Sequence, residues 1–375
     1  MDCFLICYNM RENESSYLLI DCKKIKDNFR ECERICNGKK ICAVVKANAY
    51  GHGAVETSKL FVSLGASMLA VANINEAIEL RNANIIVPIL ILGHTAVKDA
   101  NLLVKYNLSQ CIYSYFYAKA LSDNLKVGAN LSVHVKIDTG MHRLGFNYND
   151  FDEIYSALEL PKLNVEGIFT HLSSADSDKR FTHLQIARFE KLLVCLQDKN
   201  KEFKYIHAQN SAGLLGYNTP FNMVRLGIAL YGISPINKFI NNFSLGMDFI
   251  THITQIKKVN RLSRIGYNGK RNLVKKTIAV LPVGYADGLL RGYKRWLALN
   301  VNGYKCKVVG KICMDQMMID VSKVKAVKVG DTVSMFRDKN ALLSLSKGVK
   351  TIPYEIFCTL GKRQKRIYKN KINGR

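Results

Sequence analysis

The chain has 375 residues, 48% of them hydrophobic and 23% charged, enough for a large core and, as a first expectation, two domains. No apolar run approaches the roughly 20 residues that span a bilayer, and the short patch at residues 3–8 follows Asp2 with no basic flank, so it reads as a strand and not as a signal peptide. The net charge of +25, from 55 Lys and Arg against 30 Asp and Glu, reads as a general lysine bias of the surface, because no RNA-binding aromatic motif, zinc finger or basic heptad accompanies it; no specific nucleic-acid partner is expected.

In chain order, residues 4–8 come first as a candidate strand. From residue 22 to about 240, short apolar runs alternate with segments of helical period. The runs at 41–46, 68–72, 89–92, 109–113, 131–137, 164–169, 204–207 and 224–226 read as strands, and 25–36, 55–64, 74–82 and 178–196 as amphipathic helices. Eight strand–helix units in about 220 residues fit an α/β fold, a (β/α)8 barrel of the TIM type. Past about 245 helical periods become scarce. Runs at 277–282, 296–301, 305–309, 317–321 and 332–336, separated by Gly, Asp and Asn, read as a mostly antiparallel β domain. The expected division is therefore a barrel over 12–242 and a β domain over 243–375, joined by a strand from residues 1–11. Eleven cysteines, an odd number, sit among apolar residues. Neither Cys32 and Cys36 nor Cys3 and Cys7 has C-x-x-C spacing, so reduced thiols in a cytoplasmic protein are expected, with no metal site.

The stretch AVVKANAYGHG, residues 43–53, carries the most chemistry. A short apolar run ends at Lys46 and passes into a turn containing Tyr50, Gly51 and Gly53, glycines that let backbone approach a ligand. A desolvated lysine forms Schiff bases with carbonyl cofactors; by itself, a solvated lysine at a strand end is the commoner reading. Other polar residues fall at the C-terminal ends of the strands, where barrels place their active groups. Lys136 opens KIDTGMHRLGF (136–146), which also holds Arg143; His171 follows the sixth strand; Asn210 and Ser211 lie in HAQNSAG (207–213); Arg225 lies in VRLGIALYG (224–232). Each has a plainer alternative: a snorkelling Lys136, Arg143 paired with Asp138, a loop histidine, a helix cap at Ser211, a surface ion pair at Arg225. A helix start with a hydroxyl and unpaired N–H groups is also a natural phosphate site.

Taken together these motifs resemble the alanine racemases, fold-type III enzymes that use pyridoxal 5'-phosphate (PLP). The resemblance covers nearly the whole chain. It implies that Lys46 carries the cofactor, that Tyr50, Asn210, Ser211, Gly227 and Ile228 serve its phosphate, and that His171 packs on its ring. Arg143 would meet the phenolic oxygen and the substrate carboxylate, oriented by Lys136, which is often carbamylated in relatives. Arg225, positioned by His207, would face the pyridine nitrogen and leave it unprotonated, because arginine cannot accept a proton. RIGYNGK (264–270) supplies Tyr267 as the second acid/base, contributed by the partner subunit of a homodimer. PVGYADGLLRG (282–292), GKICMDQMMID (310–320) and PYEIFCTLGKR (353–363) match further: Met314 touches the substrate carboxylate, Tyr354 closes the entrance and touches the phosphate, and Tyr285, Arg291, Asp315 and Asp176 line the approach. Lys311 and Arg271 depart from residues common in relatives, and the loop at 268–274 is short by about a residue; these bear on entrance width. The implied activity is racemisation of alanine, with D-alanine feeding peptidoglycan. Alternatives are a serine or broader racemase and a fold-type III decarboxylase, which expects an acid against the pyridine nitrogen.

Overall fold

The computed structural model describes residues 16–361 and 363–371. The chain divides into two compact units, residues 24–244 and residues 16–23 with 245–371.

The first unit is a closed barrel. Strands β2 (Lys40–Val44), β3 (Met68–Val71), β4 (Ile89–Ile91), β5 (Ser109–Ile112), β6 (Leu131–Asp138), β8 (Leu163–Phe169), β9 (Tyr205–His207) and β10 (Met223–Leu226) are all parallel. They pair in that order, and β10 returns to β2. A two-residue strand, β7 (Phe146–Asn147), adds to the end of β6. The fold class expected for this half is the one found. Helices follow from cap and periodicity: Asn73, Ser114, Asp150 and Asp178 each accept a hydrogen bond from the backbone three residues on, and the long helix Lys179–Gln197 starts at the last of these. Phe29, Phe61 and Phe189 are fully buried, each contributing about 1.5–3 kcal/mol of apolar burial.

Strand alternation decides what fills the barrel. Register pairs Arg225 with Cys42, Cys111 with His134, and His134 with Gly167. These residues face inward, so the interior has a polar layer while Val133, Val135 and Ile137 face the helices.

The second unit is built on a nine-stranded sheet. Its strands are β1 (Ser16–Asp21), β11 (Met247–His252), β12 (Gln255–Val259), β13 (Lys276–Leu281), β14 (Ala298–Val301), β15 (Tyr304–Val309), β16 (Met317–Asp320), β17 (Thr332–Ser334) and β18 (Lys365–Lys369). The order is β12-β13-β16-β15-β14-β17-β11-β1-β18, antiparallel throughout except β1 with β18. The strand expected at 4–8 lies outside the described residues. The strand that joins this unit is β1, so residues 16–23 group with the second unit and not with the barrel proposed to start at 12. Two helices, Lys339–Gly348 and Pro353–Thr359, also stand in this mostly β half, where no helix was marked.

The basic excess is uneven. Residues 245–371 contain 27 Lys and Arg against 7 Asp and Glu, so most of the +25 belongs to the second unit, contrary to an even surface bias. Among the described residues no helix is long and apolar enough to cross a membrane, no group of three or more His, Cys, Asp or Glu is placed to hold a metal, and nine cysteines are free thiols.

Candidate active site

The apolar run after residue 40 stops being a strand at Val44, two residues before Lys46. Lys46 opens a single turn, Lys46–Tyr50, of left-handed hand: φ is 53° at Ala47, 55° at Asn48, 52° at Ala49 and 52° at Tyr50. Each L-residue in that conformation costs about 1–2 kcal/mol, so neighbours must hold the turn. Within it, Ala49 N donates to Val45 O (2.8 Å) and Gly51 N to Ala47 O (3.0 Å). The Asn48 carboxamide oxygen accepts from Ala54 N at 2.7 Å. The Glu76 carboxylate accepts from Ala47 N at 2.8 Å and from Ala72 N, just past β3, at 2.7 Å. The turn thus ties Lys46 to two neighbouring loops and carries Tyr50 inward. The Tyr50 ring packs 4.8 Å from that of Tyr231, and its hydroxyl lies where a Cβ on Gly227 would be, 2.5 Å from that ideal position.

Asn210, not Ser211, caps the helix Ser211–Gly216: its carboxamide oxygen accepts from Gly213 N at 2.9 Å, and its Nδ2 donates to Leu172 O at 3.0 Å. That leaves the Ser211 hydroxyl for the turn after β10. It accepts from Gly227 N and from Ala229 N, each at 3.3 Å. With both accepted bonds in place, its own proton remains to donate. Tyr50, Ser211, Gly227 and the buried Ile228 form one backbone-rich cradle.

Arg225 is almost fully buried, and every hydrogen bond it makes goes to a neutral group. Nη1 donates to His207 Nδ1 (2.8 Å) and His207 O (3.1 Å). Nη2 donates to Thr170 O (2.7 Å), Ala208 O (3.2 Å) and His171 Nδ1 (3.3 Å). Burial brings its pKa down to about 10, against the opposing influence of Cys42 and Cys111. Burial also lowers that of Lys136, chiefly, with Arg143 and Arg225 adding to it. His171 is held well below the usual imidazole value by burial, then by Arg225, Arg143, Lys136 and Lys46 in that order. Four cations therefore converge on one imidazole at the barrel mouth. Two of them, Arg225 and Lys136, are buried with no carboxylate bonded to either among the described residues; burying charge that way is costly, so the mouth favours an anion. A phosphate ester on an aromatic ring fits both the cradle and the charge.

Gln185, from the helix Lys179–Gln197, is fully buried behind His171. It donates to His171 O (3.2 Å) and Thr139 Oγ1 (3.2 Å) and accepts from Ser173 N (2.9 Å), fixing the loop that presents the imidazole. Asp176 lies in the same unit, exposed, bonded to the Ser177 hydroxyl and to none of the cluster. The remaining candidates belong to the second unit. Tyr267, 71% exposed, lies between Arg264 and Arg271, which form an isolated bridge. Met314 is 54% exposed, and its carbonyl accepts from Ala286 N (3.1 Å), next to Tyr285. Asp315 accepts from Arg363 at 2.9 Å, and Arg363 also donates to the buried Asp287 at 3.0 Å. Arg291 opens a short 3-10 segment, and Tyr354 lies in the helix Pro353–Thr359.

Comparison with known proteins is decisive on family. The alanine racemase N-terminal domain matches residues 20–235, and the alanine racemase C-terminal domain matches residues 246–368. The chain belongs to the alanine racemase family. An alanine racemase of Methanococcus maripaludis is 39% identical over 363 residues, covering 93% of this chain and 97% of that one; one of Clostridium tetani is 38% identical, covering 93% and 94%. The crystal structure of the Clostridium difficile 630 alanine racemase superposes with a TM-score of 0.91 at 34% identity, covering 96% of each chain. That of Bacillus anthracis, with bound L-Ala-P, gives 0.89 at 30% identity, covering 98% and 97%. Alanine racemases are isomerases acting on amino acids, and this chain shares their two-domain plan throughout its described length.

Sequence reasoning missed Glu76, Gln185 and His134 (below). Glu76 did carry a signal: Asn73 followed three residues on by Glu is a helix-start pattern, but the pattern cannot show that the carboxylate reaches across to Ala47.

Proposed function

We propose that the protein interconverts L- and D-alanine with PLP carried on Lys46, in the cytoplasm, as a homodimer in which each site takes Tyr267 from the other copy. One observation carries the reading: Arg225 is buried among neutral partners, with no carboxylate bonded to it among the described residues. A guanidinium cannot accept a hydrogen bond from a protonated ring nitrogen and holds its own proton too tightly to release it, so a ring nitrogen facing it stays unprotonated, which favours proton exchange at Cα over the alternatives open to such enzymes. Bound PLP supplies the electron-withdrawing ring that acidifies the Cα–H. The chain's residues do the rest. Ser211 would donate its hydroxyl proton and Ile228 its N–H to the phosphate, with Tyr50 alongside, while Gly227, whose N–H is taken by Ser211, lets the backbone come close. Arg143 holds the substrate carboxylate, and Met314 N meets it from the second copy. His171 would pack on the ring. The Lys46 amine takes or returns the proton on one face of Cα and the Tyr267 phenol on the other, so inversion needs both. Met314, Tyr354, Tyr285, Arg291, Asp315 and Asp176 are assigned to the approach. Lys136, carbamylated, would turn from a cation into the partner that orients Arg143. The product D-alanine would supply peptidoglycan synthesis.

A chiral assay across amino acids with added PLP tests this. Alanine should be racemised fastest. A visible absorbance band removed by borohydride, with the label on Lys46, should accompany activity. Lys46→Ala should abolish both directions, whereas Tyr267→Phe should cripple racemisation and keep the band. Near-normal turnover in Tyr267→Phe, or serine preferred over alanine, would overturn the assignment concerned.

A further inference from the structure

The polar layer inside the barrel contains a third histidine with no assigned role. His134 on β6 is fully buried, and its Nδ1 lies 2.9 Å from His207 Nε2. Strand β8 runs between the two. They meet only because β8 has Gly167 opposite His134: an ideal Cβ there would lie 2.5 Å from His134 Nδ1 and 2.7 Å from Cε1. Stacking fixes both rings. His134 lies against Tyr205 (5.6 Å between centroids, 16° between planes) and His207 against Phe169 (4.8 Å, 4°). Burial, then Arg225, pushes the His134 pKa down to about 3 and holds His207 well below its usual range, so both rings are neutral.

In a neutral pair the hydrogen bonds can run only one way. Guanidinium nitrogens donate and never accept. His207 Nδ1, 2.8 Å from Arg225 Nη1, must therefore present a lone pair. The His207 proton then sits on Nε2 and must be accepted by His134 Nδ1. His134 keeps its own proton on Nε2, an atom with no hydrogen-bond partner among the described residues.

We propose that His134 is a positioning residue for the reaction: by accepting the Nε2 proton of His207 it fixes the tautomer whose Nδ1 holds Arg225 in place. The other tautomer would aim an N–H at a guanidinium N–H. Arg225 would then lose one of its two side-chain partners and could swing from the ring it faces. That last consequence rests on the function proposed above; the tautomer itself does not.

The test is nitrogen-15 NMR of imidazole-labelled protein, prepared both without and with PLP, the His207 signals being assigned from a His207→Gln sample. Wild type should show His207 protonated at Nε2 alone. His134→Leu removes the acceptor and should give mixed His207 tautomers, with kcat lowered about tenfold or more, as losses of outer hydrogen-bond partners do, and KM little changed. His134→Asn returns an oxygen acceptor to the Nδ1 position and should restore both the single tautomer and most of kcat. A wild-type His207 protonated at Nδ1 would overturn the proposal even if the Leu variant failed to fold. So would a folded His134→Leu with an unchanged tautomer and unchanged kcat. Lack of racemase activity in wild type would sink the proposed function and leave the tautomer result standing.

Discussion

Glu76→Ala is the sharpest test of how Lys46 is held. The carboxylate accepts two backbone N–H bonds, 2.8 Å from Ala47 and 2.7 Å from Ala72. Hydrogen bonds to charged groups contribute about 1.5–3 kcal/mol each. Because Glu76 is half-buried, the low end applies, and the pair comes to about 3 kcal/mol. The left-handed turn itself costs at least about 4 kcal/mol over its four residues, so removing the carboxylate takes away a large part of what offsets it. The barrel melting temperature should fall by about 6–12 °C, at 2–4 °C per kcal/mol for a unit of this size. Glu76→Gln should recover less than half of the loss, because its NH2 must face one of the two N–H groups. Calorimetry or circular dichroism on the PLP-free protein measures this directly. Activity should fall in step as Lys46 and Tyr50 lose their placement. A Glu76→Ala variant melting within about 1 °C of wild type would refute the claim that this carboxylate sustains the turn.

Two further outcomes are expected. His134, His171 and His207 have folded pKa values below that of an exposed histidine. The unfolded chain therefore binds more protons as the pH falls below about 6.5, and stability should drop by up to about 1.4 kcal/mol per pH unit for each imidazole; urea midpoints that stay flat between pH 7 and pH 5 would contradict this. Gly227→Ala puts a Cβ 2.5 Å from the Tyr50 hydroxyl, so the cradle must open; PLP affinity, measured by equilibrium titration, should weaken while the fold is kept, and unchanged affinity would remove Tyr50 and Gly227 from the phosphate site.

The barrel was legible because its strands are short apolar runs at regular spacing; all eight appear within two residues of where the runs place them. The end of β2 was not. Val45 and Lys46 look like a continuing strand, and the backbone bonds that the Glu76 and Asn48 side chains accept help turn the chain left-handed instead. The start of the barrel was misplaced because no strand was expected at 16–21, and its partners, β11 and β18, lie more than two hundred residues away. The helices Lys339–Gly348 and Pro353–Thr359 are short and take their starts from Asp338 and Pro353, signals easily lost in a β-rich stretch. Arg225 and His207 could be placed by motif. His134 could not, because in Ser132-Val133-His134-Val135-Lys136 the polar residues occupy the inward positions, the reverse of the usual pattern, and no sequence rule reports that Gly167 clears its path.

The cationic barrel mouth has a consequence for the life of the chain. Lys46, Lys136, Arg143 and Arg225 repel one another around His171. Whatever dianion settles among them binds the native state and not the unfolded one, adding about 4 kcal/mol of stability at a thousandfold excess over Kd. With PLP as that dianion, as proposed, chains made while the vitamin-derived ester is scarce would open more often and offer themselves to proteases. Cellular abundance of the polypeptide would then track nutrient supply without any dedicated regulator.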